Sequence, residues 1–520
     1  MRKRFFKPIM VAVVFLLITG ICFAAGPKNE ARGKKELVII SGYSAANLDP
    51  VAVNSGARQL HGAGAIEYLV RISPKGRVEP ELAESFRNVN PNTWVVRLRP
   101  NVTFWSGKLV DARAVKASLE RSRKLAPQAE KTLSGVRIEE IDALTLRFIT
   151  ETPIPFLFYN IATTPYLAIH NADSYGDKAN PLDLKAMDTT GPFRMVDFAP
   201  DQLMVLERWN GYWGRKPKIS RIIYKRITDP QALLIEALSG RTHIVRLVPP
   251  EGAGPIENSR DMKLIKAKIP DVISLYLNTR SPQLEDVRVR RALGWGIDRQ
   301  EVIALGYNGQ GKPAPSWYSS NVAYPEARKM GFTKYDPKRA GQLLDEAGWM
   351  MDANGVRRKN GQVLKLRLVT YGIQKAAAEV LQSQLIKIGI VVDIQYSKDW
   401  GFVVAMRKDG GQWDATLEWW DSVGLTSLWR HFATEGDLNY SHYDDQIMNQ
   451  LIEKIGTSFD EDQQHKLILQ ANKRIFETAS LIPVLGPYYL MAVNKNVKGY
   501  VPPSINPAEY IITPEVDIKK

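Results

Sequence analysis

Cysteine is almost absent from this chain of 520 residues, because the only one is Cys22, close to the amino terminus. Removal of the first 24 residues would leave no thiol, which excludes disulfides, cysteine metal sites and thiol catalysis from such a mature protein. The sequence also lacks HExxH, GxSxG and a phosphate-binding glycine loop. It therefore offers no chemical basis for an enzyme.

Long apolar runs are equally scarce. The one candidate covers residues 9–18, after a basic segment and before Ala24, and it is too short to span a membrane comfortably. This pattern is typical of a secretory signal peptide, here residues 1–24, and predicts an exported, periplasmic protein. Ile21 disfavours the alternative of a lipid anchor on Cys22, since a lipoprotein signal carries a small residue at that place.

Charge and composition limit the possible partners. The formal net charge is +15, but the lysines and arginines are mixed with acids along the chain instead of forming one basic patch. We therefore expect no nucleic-acid partner. A hydrophobic content of 44% over 520 residues predicts a large buried interior that is divided between at least two lobes.

Strand and helix signals alternate and predict an α/β protein with mixed sheets. Residues 36–41 read as a strand, and residues 74–185 combine helix and strand patterns into a small α+β unit. Later, alternating leucines at 364–368, a helical segment at 376–387 and a second alternating run at 390–394 predict a parallel βαβ unit.

Several motifs in order support a more specific interpretation. The segment 275–298, LYLNTRSPQLEDVRVRRALGWGID, joins a strand to a helix through Asn-Thr and Asp-Val-Arg. It is accompanied by TGPF at 190–193, WNGYWGRKP at 209–217, GKLVDA at 107–112 and LDEAGW at 344–349. Together they resemble the extracytoplasmic solute-binding proteins, family 5, which serve peptide, nickel and opine ABC importers.

That resemblance implies a two-lobed fold of the type II periplasmic-binding-protein kind, with an extra α+β subdomain in lobe one. Lobe one would comprise residues 36–272 plus 488–520, with the subdomain inserted at about 74–185, and lobe two would comprise residues 273–487. The chain would cross between the lobes near 270–276 and 483–489, where a pair of extended strands can act as a hinge.

The resemblance also implies a ligand site between the lobes. The segment from Trp413 to Trp429 would enter the cleft, with Trp419 and Trp420 packing on the ligand. Asp421 would bind the ammonium group of a peptide, and Arg58 would bind a carboxylate. The expected protein is a monomer that has no resident cofactor and delivers a short peptide to an inner-membrane ABC permease.

A nickel or other metal chelate, such as an opine or histidine complex, is the alternative ligand. His442 and His61 lie where relatives form the pocket, and a neutral imidazole is a good nickel ligand. Against this alternative, Thr164 stands where chelate-binding relatives carry an arginine, in the loop from Ala162 to Tyr166. The sequence alone leaves both ligands open.

Overall fold

The computed structural model describes residues 35–52, 56–73, 77–175, 180–398, 400–407, 412–502 and 512–519. The predicted signal peptide, including Cys22, lies outside these residues. Within them, strands and helices alternate and build mixed sheets, which confirms the predicted α/β class. None of the helices in this part of the chain is long and apolar enough to cross a membrane.

The largest sheet in the described residues has 12 strands. Ten lie side by side, and two more, Met262–Lys268 and Gly311–Pro313, pair with the strand Leu481–Asn494 beside this row. From one edge to the other, the row consists of Val391–Ser397, Lys365–Tyr371, Ala415–Asp421, Asp271–Leu277, Leu481–Asn494, Ile244–Arg246, Glu36–Ser41, Arg221–Arg226, Leu203–Arg208 and Phe193–Ala199.

One strand joins the two halves of this sheet. Residues 481–485 of Leu481–Asn494 pair with Asp271–Leu277, whereas residues 488–494 pair with the preceding strand, Met262–Lys268. All its residues except Tyr488 are buried, as expected for a strand with neighbours on both edges. We call Asp271–Leu277 and Leu481–Asn494 the crossing strands, because the chain passes between the halves of the sheet along them.

Separate hydrophobic cores lie on the two sides of the crossing. One contains Leu37, Tyr224 and Met491, so it draws on both ends of the chain. Two others use only residues from 272 to 485. These cores support the proposed lobe one, residues 36–272 plus 488–520, and the proposed lobe two, residues 273–487.

A further core lies inside lobe one and is built from residues 69–169. Its helix Ala112–Leu125 begins at Asp111, whose side chain accepts a hydrogen bond from the backbone nitrogen of Ala114 at 2.8 Å. The antiparallel sheet of this unit consists of Ala83–Asn90, Thr93–Leu98, Thr145–Thr150 and Val136–Asp142. The unit supports the proposed α+β subdomain at about 74–185.

The remaining elements surround these sheets. The other helices are Ala57–Gly62, Pro127–Thr132, Leu157–Thr163, Pro230–Leu238, Ala253–Glu257, Val287–Trp295, Arg299–Glu301, Pro337–Glu346, Lys375–Ile386, Trp400–Met406, Gly424–Phe432, Gln446–Thr457 and Glu461–Thr478. The short strands are Val70–Ile72, Val78–Pro80, Met350–Met351, Arg357–Lys359, Gln362–Val363, Val497–Lys498 and Asp517–Ile518.

The predicted βαβ unit is present in lobe two. Strands Lys365–Tyr371 and Val391–Ser397 are parallel, and the helix Lys375–Ile386 connects them. The turn after this helix needs glycine, because Gly389 has φ of 85° and a Cβ there would lie 2.7 Å from the Arg357 side chain. The parallel pairing therefore follows the predicted topology.

The arginines of the 275–298 motif bind the end of a neighbouring helix. Asp286 caps Val287–Trp295 by accepting a hydrogen bond from the Arg288 backbone nitrogen. Arg290 donates to the carbonyl oxygen of Thr478 at 2.8 Å, and Arg291 donates to that of Glu477 at 2.6 Å. Both carbonyls belong to the last turn of Glu461–Thr478, where cations are favourable. The motif thus stabilises a helix junction.

The WNGYWG motif holds a buried carboxylate in lobe one. The Tyr212 hydroxyl donates to Glu67 Oε1 at 2.8 Å, and Trp213 Nε1 donates to Glu67 Oε2 at 3.0 Å. Burial, together with the nearby charge of Glu81, raises the pKa of Glu67 to about 7. Two hydrogen bonds from the motif offset part of the desolvation of this group.

The raised pKa predicts a pH-dependent stability. The folded pKa of Glu67 exceeds its ordinary value of 4.5. Its contribution to the free energy of unfolding is therefore fully present below pH 4.5 and is lost as pH rises through 7. Wild type should lose about 1–3 kcal/mol of its free energy of unfolding between pH 6 and 8 through this group. Glu67→Gln should not show this loss, because its side chain stays neutral. The measurement is the thermal unfolding midpoint against pH, with Glu84→Gln as the exposed control. Equal pH slopes for wild type and Glu67→Gln would contradict the assignment.

Candidate functional site

A cavity of about 560 Å³ opens between the two proposed lobes. It is lined by Arg58 and Arg246 from lobe one, by Trp400 from lobe two, and by Asp271 and Trp419 at the crossing. Its volume lies in the range of small-molecule sites. We call this cavity the cleft.

A second cavity, of about 590 Å³, lies mainly in lobe two and shares Pro487 and Tyr488 with the cleft. Its lining includes Lys268, which belongs to lobe one. The cleft is the better candidate site, because both lobes and the crossing strands contribute charged and aromatic groups to its walls.

Asp271, on a crossing strand, and Trp419, on the neighbouring strand Ala415–Asp421, form one part of the cleft wall. They are held on adjacent antiparallel strands, and Trp419 Nε1 donates to Asp271 Oδ2 at 2.6 Å. Trp419 also packs against the main core of each lobe. Any rotation of one lobe against the other therefore acts on the surroundings of this pair.

Asp421 lies directly opposite Asp271 in the strand register. Asp271 is buried, whereas Asp421 is exposed. Burial and the neighbouring charge of Asp421 raise the pKa of Asp271 to about 7, while the Trp419 hydrogen bond and the charge of Arg58 act in the opposite direction. The two carboxylates form an acidic pair whose repulsion a bound cation would relieve.

Trp420 points away from this pair, because successive strand residues face opposite sides. Its Nε1 donates to Glu418 Oε2 at 2.7 Å, and Glu418 also accepts from Arg407 at 2.6 Å in a fully buried arrangement. The Trp420 ring lies 5.8 Å from that of Trp400, which lines the cleft. Trp420 is not among the residues that line the cleft itself, so its contact with ligand stays a prediction.

Arg58 is exposed at the start of the helix Ala57–Gly62 and lines the cleft. Its neighbour on the same helix, His61, is turned into lobe one and does not line the cleft. The His61 ring lies 4.8 Å from Tyr68, and its Nε2 lies 3.7 Å from Glu81 Oε1. Arg58, the predicted carboxylate partner, therefore lies at the cleft. His61, the predicted metal ligand, lies in the interior of lobe one.

His442 lies in a loop of lobe two with a left-handed backbone, φ 52°. The Thr279 hydroxyl donates to its carbonyl oxygen at 3.1 Å, and its ring lies 6.2 Å from that of Trp413. It does not line the cleft, and the structure does not bring it together with His61. The described residues contain no group of three or more histidine, cysteine, aspartate or glutamate side chains placed to hold a metal ion. Metal contact by either histidine stays a prediction.

Thr164 is buried beside the helix that precedes it. Its hydroxyl pairs with that of Thr132 at 2.8 Å. The position where the resemblance implied an arginine for chelate binding is therefore occupied by an uncharged side chain that already has a hydrogen-bond partner.

The inserted subdomain and lobe two also touch each other directly. The Thr426 hydroxyl donates to Asn160 Oδ1 at 2.8 Å, and Lys131 Nζ lies 3.7 Å from the ring centre of Trp429. These contacts are noncovalent and far in sequence from the crossing strands. The proposed lobes are thus in contact at a second place, away from the crossing strands.

Two cleft residues had no distinct signal in the sequence. Asp271 and Arg246 stand at the ends of short apolar strands, where a charged residue ordinarily faces solvent. Only the sheet order, which brings these strand ends beside Leu481–Asn494, places both at the cleft.

Two lobes joined by crossing strands, with a charged cavity between them, are typical of the two-lobed solute-binding proteins. Residues 77–429 match the family of bacterial extracellular solute-binding proteins, family 5 Middle. The match covers more than half of the chain, and the protein belongs to this family.

Individual relatives agree with this assignment. The chain is 26% identical to the nickel-binding protein NikA of Staphylococcus aureus, over 84% of this chain and 86% of the relative. It is also 26% identical to di/tripeptide-binding protein 2 of Pseudomonas aeruginosa, over 92% of this chain and 94% of the relative. The crystal structure of NikA from Brucella suis with Fe(III)-EDTA matches 93% of this chain and all of that chain, with a TM-score of 0.82 and 22% identity. The type II periplasmic-binding-protein fold is thereby confirmed.

The pair at the crossing predicts a spectroscopic titration. Protonation of Asp271 weakens the charge-assisted hydrogen bond from Trp419, so the Trp419 indole N–H signal in NMR should move with a midpoint near pH 7. Trp419→Phe identifies the signal, and Asp271→Asn should abolish its movement.

Trp105 provides the control, because its Nε1 donates to the backbone carbonyl oxygen of Gly191, a group that does not titrate. A Trp419 signal that stays fixed between pH 5 and 9 would show that Asp271 does not titrate at the crossing.

Proposed function

We propose that the protein is a periplasmic solute-binding protein that captures a short peptide between its lobes and delivers it to an inner-membrane ABC permease. The observation that carries this proposal is the separation of charge at the cleft, which is lined by Asp271 at the crossing and by Arg58 on lobe one. Asp421 is not among the lining residues, but it lies opposite Asp271 in the strand register and extends the acidic side. A peptide carries an ammonium group at one end and a carboxylate at the other, so it complements both. The di/tripeptide-binding relative supports the same ligand class.

The ligand would be positioned from three sides. Asp421, exposed beside Asp271, would accept hydrogen bonds from the ammonium group, and Arg58 would pair with a carboxylate. Trp419 would pack on the apolar part of the ligand, with Trp420 supporting the neighbouring wall through Trp400. The contact between Thr426 and Asn160 would then form as the lobes close over the ligand.

A nickel or other metal chelate is the second candidate, and the NikA relative supports it. In that case the metal complex would be a transported ligand and not a resident cofactor, with His442 or His61 supplying a nitrogen. Two observations favour the peptide instead: neither histidine lines the cleft, and Thr164 is engaged with Thr132.

The proposal also covers the export, localisation and activity of the protein. Residues 1–24 would be removed as a signal peptide during export, and the mature protein would be a monomer in the periplasm. Its activity would be binding without chemical change of the ligand. Recovery of an intact peptide after incubation with the purified protein is the expected result.

Calorimetry separates the two ligand classes. We expect wild type to bind a defined tripeptide pool, and Asp421→Asn to weaken that binding by about 1–2 kcal/mol, because the ammonium group loses one counter-charge. The double variant His61→Ala, His442→Ala should bind the pool nearly as wild type does. Asp393→Asn is the matched control, since this carboxylate lies on the outer strand Val391–Ser397 and not in the cleft.

The opposite pattern would overturn the peptide proposal. It consists of strong binding of a nickel–histidine complex that the double histidine variant abolishes, together with no response to the tripeptide pool. Loss of binding in the Asp393→Asn control would show instead that carboxylate removal acts through general electrostatics.

A further inference from the structure

Five arginines in the described residues are at least nine-tenths buried. Four of them donate to backbone carbonyl or carboxylate oxygens. Arg290 and Arg299 donate to backbone carbonyls at the ends of helices and strands, Arg357 donates to carbonyls and to Asp345, and Arg407 pairs with Glu418. The fifth is Arg246.

Arg246 has no carboxylate partner among the described residues. Only 2% of its surface is exposed, and its guanidinium donates through Nη1 to the Tyr224 hydroxyl at 3.2 Å. The ring of Tyr489 lies 5.9 Å from the guanidinium carbon. Its Nε is buried with no hydrogen-bond partner in the described part of the chain. A buried guanidinium that is left this incomplete is costly for folding.

The position of Arg246 explains why the protein tolerates this cost in folding free energy. Arg246 ends the strand Ile244–Arg246, which pairs with Leu481–Asn494 on the lobe-one side of the crossing. It lines the cleft together with Tyr489. The missing partner therefore has a place to bind, because Arg246 belongs to the lining of the candidate cleft.

We propose that Arg246 is the carboxylate-binding residue of the cleft, and that the ligand supplies the anion which the fold leaves out. This inference rests on the proposed function and refines it: the carboxylate end of the ligand lies on lobe one, and the ammonium end lies at the acidic pair on the crossing. The same chemistry serves a peptide terminus and a metal-bound amino acid, since both present a carboxylate.

Burial distinguishes Arg246 from Arg58. Arg58 is exposed, so water weakens its attraction for a ligand carboxylate, whereas Arg246 acts in a desolvated wall where the same charge is stronger. Arg58 then acts at the rim, on the rate of association, and Arg246 selects for the carboxylate itself.

A matched pair of ligands tests this assignment by calorimetry. The probes are a defined tripeptide pool with free carboxyl termini and the same pool with carboxamide termini. Wild type should prefer the free acids by roughly 10- to 100-fold, the range for hydrogen bonds to charged groups. Arg246→Gln should bind both pools with nearly equal affinity, and Arg246→Lys should regain part of the preference.

The outcomes separate the inference from the proposed function. If Arg246→Gln keeps the full preference for free acids, the carboxylate assignment is overturned while peptide binding stands. If wild type binds neither pool, the peptide proposal fails. The same calorimetric comparison is then made with nickel–histidine and nickel–histidinamide complexes. A wild type that does not distinguish those two complexes, or an Arg246→Gln variant that distinguishes them as wild type does, would also overturn the assignment.

Ligand-free stability gives a second readout. Because the fold does not complete the bonding of Arg246, Arg246→Met should leave the thermal midpoint unchanged or raise it by a few degrees. Arg299→Met is the control and should lower the midpoint, because Arg299 donates to the carbonyl oxygens of Ala314 and Pro483. A fall in Arg246→Met as large as in the control would assign Arg246 to folding and not to the ligand.

Discussion

The structure depends on the continuous backbone pairing of the strand Leu481–Asn494 with two successive strands. Its first residues pair with Asp271–Leu277 in lobe two, and its last residues pair with Met262–Lys268 in lobe one. The lobes are therefore tied at one place by two adjacent strands. Such a connection permits rotation about the crossing but resists separation, and it leaves the cleft as the space that the rotation opens and closes.

The distribution of charge in the cleft follows from this geometry. Asp271 lies on a crossing strand and faces Asp421 on the next strand, so two carboxylates meet where the lobes join. Arg246 reaches the cleft from lobe one on a strand that pairs with the other crossing strand, Leu481–Asn494. Each group is energetically unfavourable without ligand, through repulsion in the first case and missing partners in the second. A zwitterionic ligand offsets both terms at once, and a neutral one offsets neither.

Much of the fold could be predicted from the sequence, because local patterns determine it. The strand Glu36–Ser41 has the predicted bounds, the helix Lys375–Ile386 differs from the prediction by one residue at each end, and Asp286 caps its helix as expected. Apolar periodicity and capping act within a few residues, so a single sequence records them. The lobe boundaries and the signal peptide stay predictions.

The site was harder to predict, because it depends on contacts between distant segments. Strand alternation implies that Trp419 and Trp420 face opposite sides, but only the pairing of Trp419 with Asp271 decides which of them faces the cleft. His61 lies on the helix that carries Arg58, yet its orientation towards Tyr68 and Glu81 depends on residues that fold beside it. The sequence around Arg246 does not indicate its role, because that role is inferred from hydrogen-bond partners that are missing in the folded structure.

Closure of the lobes around a ligand is the central claim, and solution X-ray scattering measures it directly. The account predicts that the radius of gyration of the purified protein decreases when a saturating tripeptide pool is added, because the ligand holds the lobes in the arrangement in which Thr426 contacts Asn160 and Trp429 contacts Lys131. Binding verified in the same sample by calorimetry, with an unchanged scattering profile, would contradict it.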